Sequence, residues 1–569
     1  MQAAEAMIKI MEDEGVEVIF GIPGAGILPF YNALSKSTII KHYLARHEEG
    51  ASHAADGYAR ASGKIGICVG TSGPAGTNMV TGLYTAQVDA IPLIAITGQT
   101  TTSLLGKDSF QAVDIAEIVK PVTKKSYCVK DGNQLLSVTR EAFRIAREGR
   151  PGPVLIDLPL DTQRKEIEYD PTIDSSLAIL KPAPDIRKVK RALEMVLESR
   201  KPIMLLGGGV INSNACDDFV ALAEYLSIPV VTSLMGKGGI ADNHPLYGGQ
   251  IGTICNTPYG NSIFLESDLV LGVGCRFSDR HTGALDVYTK DRKFIHIDIE
   301  PTQIGRIIAT DLGIVADASL TLQALLKMAK QMTVRREPDE RVRAIPENRE
   351  KYARRLDFNQ IPIKPQRVFK EINEFFDEDT VFVTCIGLNQ IWSSQFQRIF
   401  KPRHYLMPAG AGPLGWDLPA AIGAKVAHPE NTVVNIVGDY GLGFCGEEMA
   451  MAVMCNTPII IVVINNGYLS LIRQQEKYNF NNLDYEVNTW YDGTMMDFVK
   501  WAEAYGAYAE RVDDPELIKA ALGRAAESNR PALVEIMVER DTDASMGPSL
   551  DKIVEYEPIP AYSDTLATA

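Results

Sequence analysis

The sequence predicts an α/β protein built from three doubly wound parallel-sheet domains. Three observations carry that expectation. Short apolar runs end in glycine-rich turns, longer amphipathic segments separate them, and the whole rhythm returns three times along 569 residues. A chain of that length outgrows a single core and divides into domains. Apolar runs bounded by glycine read as buried parallel strands, and strand–turn–helix repeats read as open sheets with helices on both faces. Ligands of such sheets bind beyond the carboxyl ends of the strands, where the turns lie.

The first group of runs is EVIFGIPGAG, IGICVGTSGPAGT, IPLIAITGQT and PGPVLIDLPLD. The second is KPIMLLGGGV, DLVLGVGCRF and KFIHIDIE, and the third DTVFVTCIG, TVVNIVGDYG and PIIIVVINNG. Residues 166 to about 188 are proline-rich and weakly periodic, and residues 333 to about 364 are charged with scattered prolines; both read as linkers. The units are therefore 1–165, 188–332 and 364–542, followed by a tail, 543–569, that reads as a lid or a disordered extension.

Composition narrows the function classes. A net charge of −15 repels polyanions, which argues against nucleic acid and anionic membrane surfaces as partners. If the substrates are small anions, the site must carry its own cations. The eight cysteines are scattered without a Cys-x-x-Cys pair, as expected of reduced thiols in a cytoplasmic protein. Nothing after Met1 reads as an export signal, and the longest apolar stretches, such as 458–464, are too short to span a bilayer.

VVNIVGDYGLGF sets Gly438 and Asp439 at the end of an apolar run, and after a helix and the run TPIIIVVI come Asn465, Asn466, Gly467 and Tyr468. A carboxylate and an amide oxygen delivered from neighbouring strand ends are hard ligands suited to magnesium. Glycines 438, 441 and 443 let backbone N–H groups approach a diphosphate. Taken alone, the pair also reads as an Asp turn and an unrelated Asn turn. The spacing resembles the GDG…NN signature of the thiamine-diphosphate-dependent enzymes. That resemblance implies Mg2+ on Asp439, Asn466 and the backbone carbonyl of Tyr468, with Gly438, Tyr440, Gly441 and Leu469 around the diphosphate. Tyr440 stands where the usual motif has its third glycine.

Other segments extend the resemblance to nearly the whole chain. LARHEEGASHAADGYARASG is similar to the stretch that supplies the family's glutamate, which implies that Glu48 hydrogen-bonds the aminopyrimidine ring and so makes its amino end a base toward the thiazolium carbon. Read locally, Glu48 and Glu49 are equally two solvated acids at a helix start. KDSFQAVD implies Phe110 and Gln111 near the reacting centre, and TSGPAGTN a turn beside the pyrimidine. CIGLNQ implies Ile386, Gly387, Leu388 and Asn389 at the diphosphate end, while AGPLGWDLP implies Gly412 at the cofactor and Leu414 as the prop that bends it. Ile386 and Leu414 also read as ordinary core aliphatics.

In the middle unit, LLGGGV (Gly207, Gly208, Gly209), GVGCRFSDRHTG and FIHIDIEPTQIGR resemble the FAD-binding domain of the acetohydroxyacid synthase and glyoxylate carboligase branch. The resemblance implies a flavin on Arg276, Asp298 and Asp317, structural because carboligation needs no net redox change, and a substrate carboxylate on Arg280. A surface ion pair is the alternative for Arg280. FGIPGAGILPFYNAL, RFSDRHTG and SMGPSLDKIVEYE are most similar to the glyoxylate carboligases, which implies decarboxylation of one glyoxylate and ligation to a second, giving tartronate semialdehyde and carbon dioxide. Gln475 stands where acetohydroxyacid synthases carry a tryptophan, which fits a small polar acceptor. Glu48 departs from the valine of those carboligases and leaves open an acetolactate synthase-type condensation of pyruvate, with a 2-oxo acid oxidase or decarboxylase as a third reading. Members of the family complete the site between the first domain of one subunit and the third of another, so a homodimer or homotetramer is expected, with small 2-oxo acids as its partners.

Overall fold

The computed structural model describes residues 1–171, 176–490 and 493–559. The first sheet comprises β1 (Val18–Gly21), β2 (Lys41–Leu44), β3 (Gly66–Gly70), β4 (Leu93–Gln99), β5 (Lys125–Cys128) and β6 (Pro153–Pro159). The second comprises β7 (Pro202–Leu206), β8 (Val230–Thr232), β9 (Tyr247–Gln250), β10 (Leu269–Val273), β11 (Lys293–Asp298) and β12 (Leu312–Val315). The third comprises β13 (Val381–Thr384), β14 (Tyr405–Leu406), β15 (Val433–Gly438), β16 (Ile460–Asn465), β17 (Tyr508–Val512) and β18 (Ala532–Met537). All pairings between these strands are parallel. The three doubly wound parallel sheets expected from the sequence are thus present.

The strand orders are β2-β1-β3-β4-β6-β5, β12-β11-β10-β7-β8-β9 and β14-β13-β15-β16-β18-β17. The first and third are the same order, strand for strand. Central strands such as β3, β4 and β16 are buried at every position, because helices cover both faces and leave no polar side to alternate.

The equivalence of the outer sheets determines how they meet. The helix Glu48–Ser62 follows β2 and the helix Asp417–Ala427 follows β14, and these two equivalent helices pack face to face. Their contact is lined by small residues, and a Cβ on Gly57 would lie 2.4 Å from the carbonyl oxygen of Ala420. A Cβ on Gly423 would lie 2.0 Å from that of Ala54. The backbones touch, so one apolar core runs from Ala51, Ala54 and Tyr58 of the first unit into Trp416, Leu418 and Ala421 of the third. Beside this contact Glu448, which follows β15 and its short helix, receives the backbone N–H groups of Arg46 and His47 from the loop after β2.

The tail as far as Ile559 is packed rather than loose. Gly547 N–H donates to Thr253 O and Ala284 N–H to Pro548 O in the second unit, while Gln474 Nε2 and Gln395 Nε2 donate to Ala544 O and Ser545 O from the third. It straps the two units together, and its last ten positions lie outside the described residues. The eight cysteines are unpaired. Among the described residues no helix is long and apolar enough to cross a membrane.

Candidate active site

β13, β15 and β16 are parallel neighbours in the third sheet, so their carboxyl ends lie side by side. Asn389 opens the helix that follows β13, and its Nδ2 donates to Cys385 O at 3.0 Å and to Ile436 O at 3.3 Å, tying the ends of two strands. Gly387 has φ 137, and a Cβ there would lie 2.3 Å from Asn389 Oδ1, so glycine is required for the turn to close over that amide. Gly412 approaches Ile386, and Leu414 lies across Gly441. Gly438 precedes Asp439, the first residue of the short helix Asp439–Leu442, whose N-terminus with Tyr440 and Gly441 faces the turn Asn466–Leu469 from β16.

Asp439 is 5% exposed. Its Oδ2 accepts a hydrogen bond from Thr489 Oγ1 at 2.8 Å, while Oδ1 is buried with no hydrogen-bond partner among the described residues. Burial pushes this carboxyl up to about 6. A buried carboxylate oxygen left unpaired is costly unless a cation takes it. Asn466 is 2% exposed, and its Oδ1 accepts from Tyr468 N–H and Ser470 Oγ. Among the described residues the carbonyl of Tyr468 accepts only the long contact from Ser470 Oγ at 3.3 Å. An all-oxygen set with one orphaned carboxylate oxygen fits Mg2+. Arg540 lies over the rings of Tyr468 (4.1 Å) and Trp490 (4.4 Å) and donates to the carbonyls of Asn466 and Gly467, which fixes this turn from outside.

Glu48 begins the helix Glu48–Ser62 and is half-buried beside the end of β3. Its Oε2 accepts from Asn78 Nδ2 at 2.9 Å, which leaves Oε1 without a hydrogen-bonding partner among the described residues. Ser72 Oγ donates to Gln111 Oε1, so Gln111 closes the same corner, and its neighbour Phe110 is 84% exposed. Glu448, buried completely, accepts from Arg46 N–H at 3.0 Å and His47 N–H at 2.9 Å. A carboxylate from the segment after Asp439 therefore fixes the turn that launches Glu48. Burial outweighs those two donors and pushes Glu448 up to about 7.

The second unit holds a separate cavity of about 230 Å³. Gly208, Gly209, Arg276, Asp298, Asp317 and Arg280 all line it, while Gly207 sits behind them in contact with Gly274. Asp317 caps the helix Ala318–Met332 through Leu320 N–H and pairs with Lys181 at 3.6 Å. Burial raises the carboxyl of Asp298. Three glycines (208, 209 and 274) among apolar walls, with Arg147, Arg150 and Arg276 at the rim, fit an anionic nucleotide.

The structure thus gathers the expected residues into three sets. Ile386, Gly387, Leu388, Asn389, Gly412, Leu414, Gly438, Asp439, Tyr440, Gly441, Asn466, Tyr468 and Leu469 share one wall. Glu48, Phe110 and Gln111 form a second group, and Arg280 lies with the cavity. Among the described residues no hydrogen bond or ion pair joins Glu48 to Asp439 or Asn466. Sequence reasoning missed Glu448, Thr489, Arg540 and the rim arginines Arg147 and Arg150. Only Glu448 left a local trace, as an acid starting the apolar run after the glycine motif.

A parallel-sheet fold with a hard-oxygen set at neighbouring strand ends, a half-buried carboxylate in an equivalent unit and a glycine- and arginine-lined cavity in the middle unit fits a cofactor-dependent enzyme. The chain belongs to the thiamine pyrophosphate enzymes: the family's N-terminal TPP binding domain matches residues 1–118, its central domain 189–325 and its C-terminal TPP binding domain 385–536. It is 45% identical to the glyoxylate carboligase of Escherichia coli O157:H7 over 98% of this chain and 97% of that protein. It is also 39% identical to a probable acetolactate synthase large subunit of Methanococcus aeolicus, over 96% and 94% of the two chains. Identity to the acetolactate synthase large subunit of Corynebacterium glutamicum is 37%, over 95% and 87%.

Proposed function

We propose that this enzyme converts two glyoxylates to tartronate semialdehyde and carbon dioxide. The observation that carries the reading is the 45% identity to a glyoxylate carboligase across almost the full length of both chains. Gln475 supports it: this side chain reaches Met546 of the strap at 3.8 Å, so the wall beside the strap is partly polar, as a small hydrophilic acceptor requires.

Residues 1–165 take the pyrimidine end of the cofactor, 364–542 its diphosphate, and 188–332 a flavin nucleotide. Thiamine diphosphate, when bound, supplies a carbon nucleophile that accepts the electron pair released as carbon dioxide leaves the first glyoxylate. Asp439, Asn466 and the Tyr468 carbonyl hold Mg2+ against the diphosphate. Glu48, oriented by Asn78, holds a proton at a ring nitrogen of the pyrimidine through its free oxygen. Leu414 would prop the cofactor, Phe110 and Gln111 would lie near the reacting centre, and Arg280 would hold a substrate carboxylate. FAD, on Gly207–Gly209, Arg276, Asp298 and Asp317, takes no electrons.

The enzyme works as a homodimer or homotetramer in which Glu48 of one subunit faces Asp439 of another. Phe110 (84% exposed), Tyr440 (41%) and Phe444 (43%) support this, since each stands beside one half of the site with its ring uncovered. The unpaired cysteines fit a reducing cytoplasm.

Glu48 favours a second reading, acetolactate formation from pyruvate. Incubating the enzyme, thiamine diphosphate, Mg2+ and FAD with glyoxylate, pyruvate or both separates them. Tartronate semialdehyde from glyoxylate supports the first reading; acetolactate without tartronate semialdehyde overturns it. Substrate-driven bleaching of the flavin would mark an oxidase, and free aldehyde alone a decarboxylase.

A further inference from the structure

The loop Met407–Trp416 carries Gly412 and Leu414, and it is pinned at three points by side chains of the first unit. Arg60 Nη1 donates to Met407 O at 2.8 Å, Gly410 N–H donates to Asp89 Oδ1 at 3.0 Å, and Trp416 Nε1 donates to Asp56 Oδ2 at 2.6 Å. The three pinning residues are themselves linked. Arg60 pairs with Asp56 at 2.9 Å and with Asp89 Oδ2 at 3.1 Å, and its guanidinium lies 5.2 Å from the centre of the Trp416 ring. Asp56, Arg60 and Asp89 are all buried. Buried charges are costly unless paired, and here the Arg60 guanidinium holds both carboxylates, by a hydrogen-bonded pair to Asp56 and an ion pair to Asp89.

Asp89 has a third partner, one that the other two lack. Arg276 Nη2 lies 3.4 Å from its Oδ1, the oxygen that also receives Gly410 N–H, and Arg276 Nη1 donates to Val88 O at 2.6 Å. Arg276 is one of the guanidiniums on the rim of the second unit's cavity. Gly410 lies so close that a Cβ there would sit 2.6 Å from Asp89 Oδ1 and 3.0 Å from Arg276 Nη2. One carboxylate oxygen is therefore shared between the cavity rim and the loop that carries Leu414. An anion in the cavity competes with Asp89 for Arg276, and whatever it withdraws from Oδ1 strengthens the bond from Gly410.

We infer that Asp89 is a positioning residue through which filling of the middle cavity tightens thiamine diphosphate binding at the Leu414 loop. The inference rests on the flavin reading of that cavity and gives the flavin a task that needs no electron transfer. Coupling of this kind is reciprocal, so thiamine diphosphate must tighten flavin binding by the same factor.

The test uses full-length enzyme stripped of both ligands. Thiamine diphosphate affinity, in Mg2+, is titrated with and without saturating FAD, and FAD affinity with and without thiamine diphosphate. The expected coupling is about tenfold in both directions in the wild type and less than twofold in Asp89→Asn, which keeps the acceptor oxygen and the volume but loses the charge. Arg276→Lys, which keeps the charge but cannot reach both Val88 O and Asp89, serves as a second variant if Asp89→Asn fails to fold, and it must lower the coupling too. A merely structural role for Asp89 would weaken both affinities and leave their ratio unchanged. Undiminished coupling in a folded variant, or flavin binding in the wild type without coupling, overturns the inference alone. No flavin binding at all overturns the cavity reading and the inference with it.

Discussion

Glu448 and His47 are 401 residues apart in the sequence, and the carboxylate of one receives the backbone N–H of the other at 2.9 Å. That bond, with its partner from Arg46, places an acid of the third unit at the N-terminal end of the helix that begins with Glu48. Gly50 makes room for it, because a Cβ there would lie 2.2 Å from Glu448 Oε1.

This burial makes stability pH-dependent. Glu448 titrates at about 7 in the folded protein against an ordinary 4.5, so the fold favours the protonated acid. Its contribution is full below about pH 4.5 and is lost as pH rises through about 7. The loss is about 3 kcal/mol. Glu448→Gln removes the titration and keeps an acceptor. The wild-type unfolding midpoint should therefore fall relative to that of Glu448→Gln between pH 5 and pH 8. A gap between the two that stays constant over this range would contradict the assignment.

Asp439→Asn should weaken Mg2+-dependent binding of thiamine diphosphate by ~100-fold or more, since even outer partners of metal ligands are worth 10–100-fold. The orphaned Oδ1 is the reason: an amide in its place carries no charge to meet the cation. Fluorescence titration of the cofactor at fixed Mg2+ measures it. Unchanged affinity would remove Asp439 from the metal site.

Glu48→Gln tests the other half of the site and should leave the fold intact, because among the described residues the only hydrogen bond to the side chain comes from Asn78. Deuterium exchange at the thiazolium carbon of bound cofactor should slow by 10²–10⁴-fold, the usual worth of positioned acid–base chemistry. Binding of the cofactor should change far less. An exchange rate equal to the wild type would end the catalytic assignment.

What the sequence disclosed follows from where the free energy lies. The runs read as strands correspond to β1, β3, β4, β6, β7, β10, β11, β13, β15 and β16, which are buried on both faces and so written in continuous apolar residues. All six edge strands escaped notice, β2, β5, β9, β12, β14 and β17, and so did two interior ones, β8 and β18. KHYL and KSYC show why, since an edge strand has only one neighbour and can carry lysine and serine. Asp439 and Asn466 were legible because a glycine turn at a strand end is a local pattern. Glu448, Asp89 and Arg540 were not, because each acts on backbone brought to it only by folding. The packing of the tail as far as Ile559 was illegible for the same reason: its bonds to Thr253, Gln395 and Gln474 have no periodicity to announce them.

The joint between the outer units yields the last prediction. Gly57 and Gly523 are both helical glycines, and by intrinsic propensity alone alanine at either would stabilise its helix by roughly 0.5–1 kcal/mol. Their surroundings differ. A Cβ on Gly523 meets only Phe375 at 3.8 Å, ordinary contact, whereas one on Gly57 meets the Ala420 backbone at 2.4 and 2.5 Å. Backbone cannot rotate away as a side chain can, so the two helices must separate along their whole length, and the shared core from Tyr58 to Trp416 loosens with them. Overpacking of that kind costs about 1–3 kcal/mol or more. Gly57→Ala should therefore lower the thermal midpoint, while Gly523→Ala leaves it unchanged or raises it. Because the helix carrying Gly57 also carries Glu48, Gly57→Ala should cost activity at temperatures where the protein is still folded, and Gly523→Ala should not. Equal midpoints for the two variants would mean that the outer units do not meet through these helices.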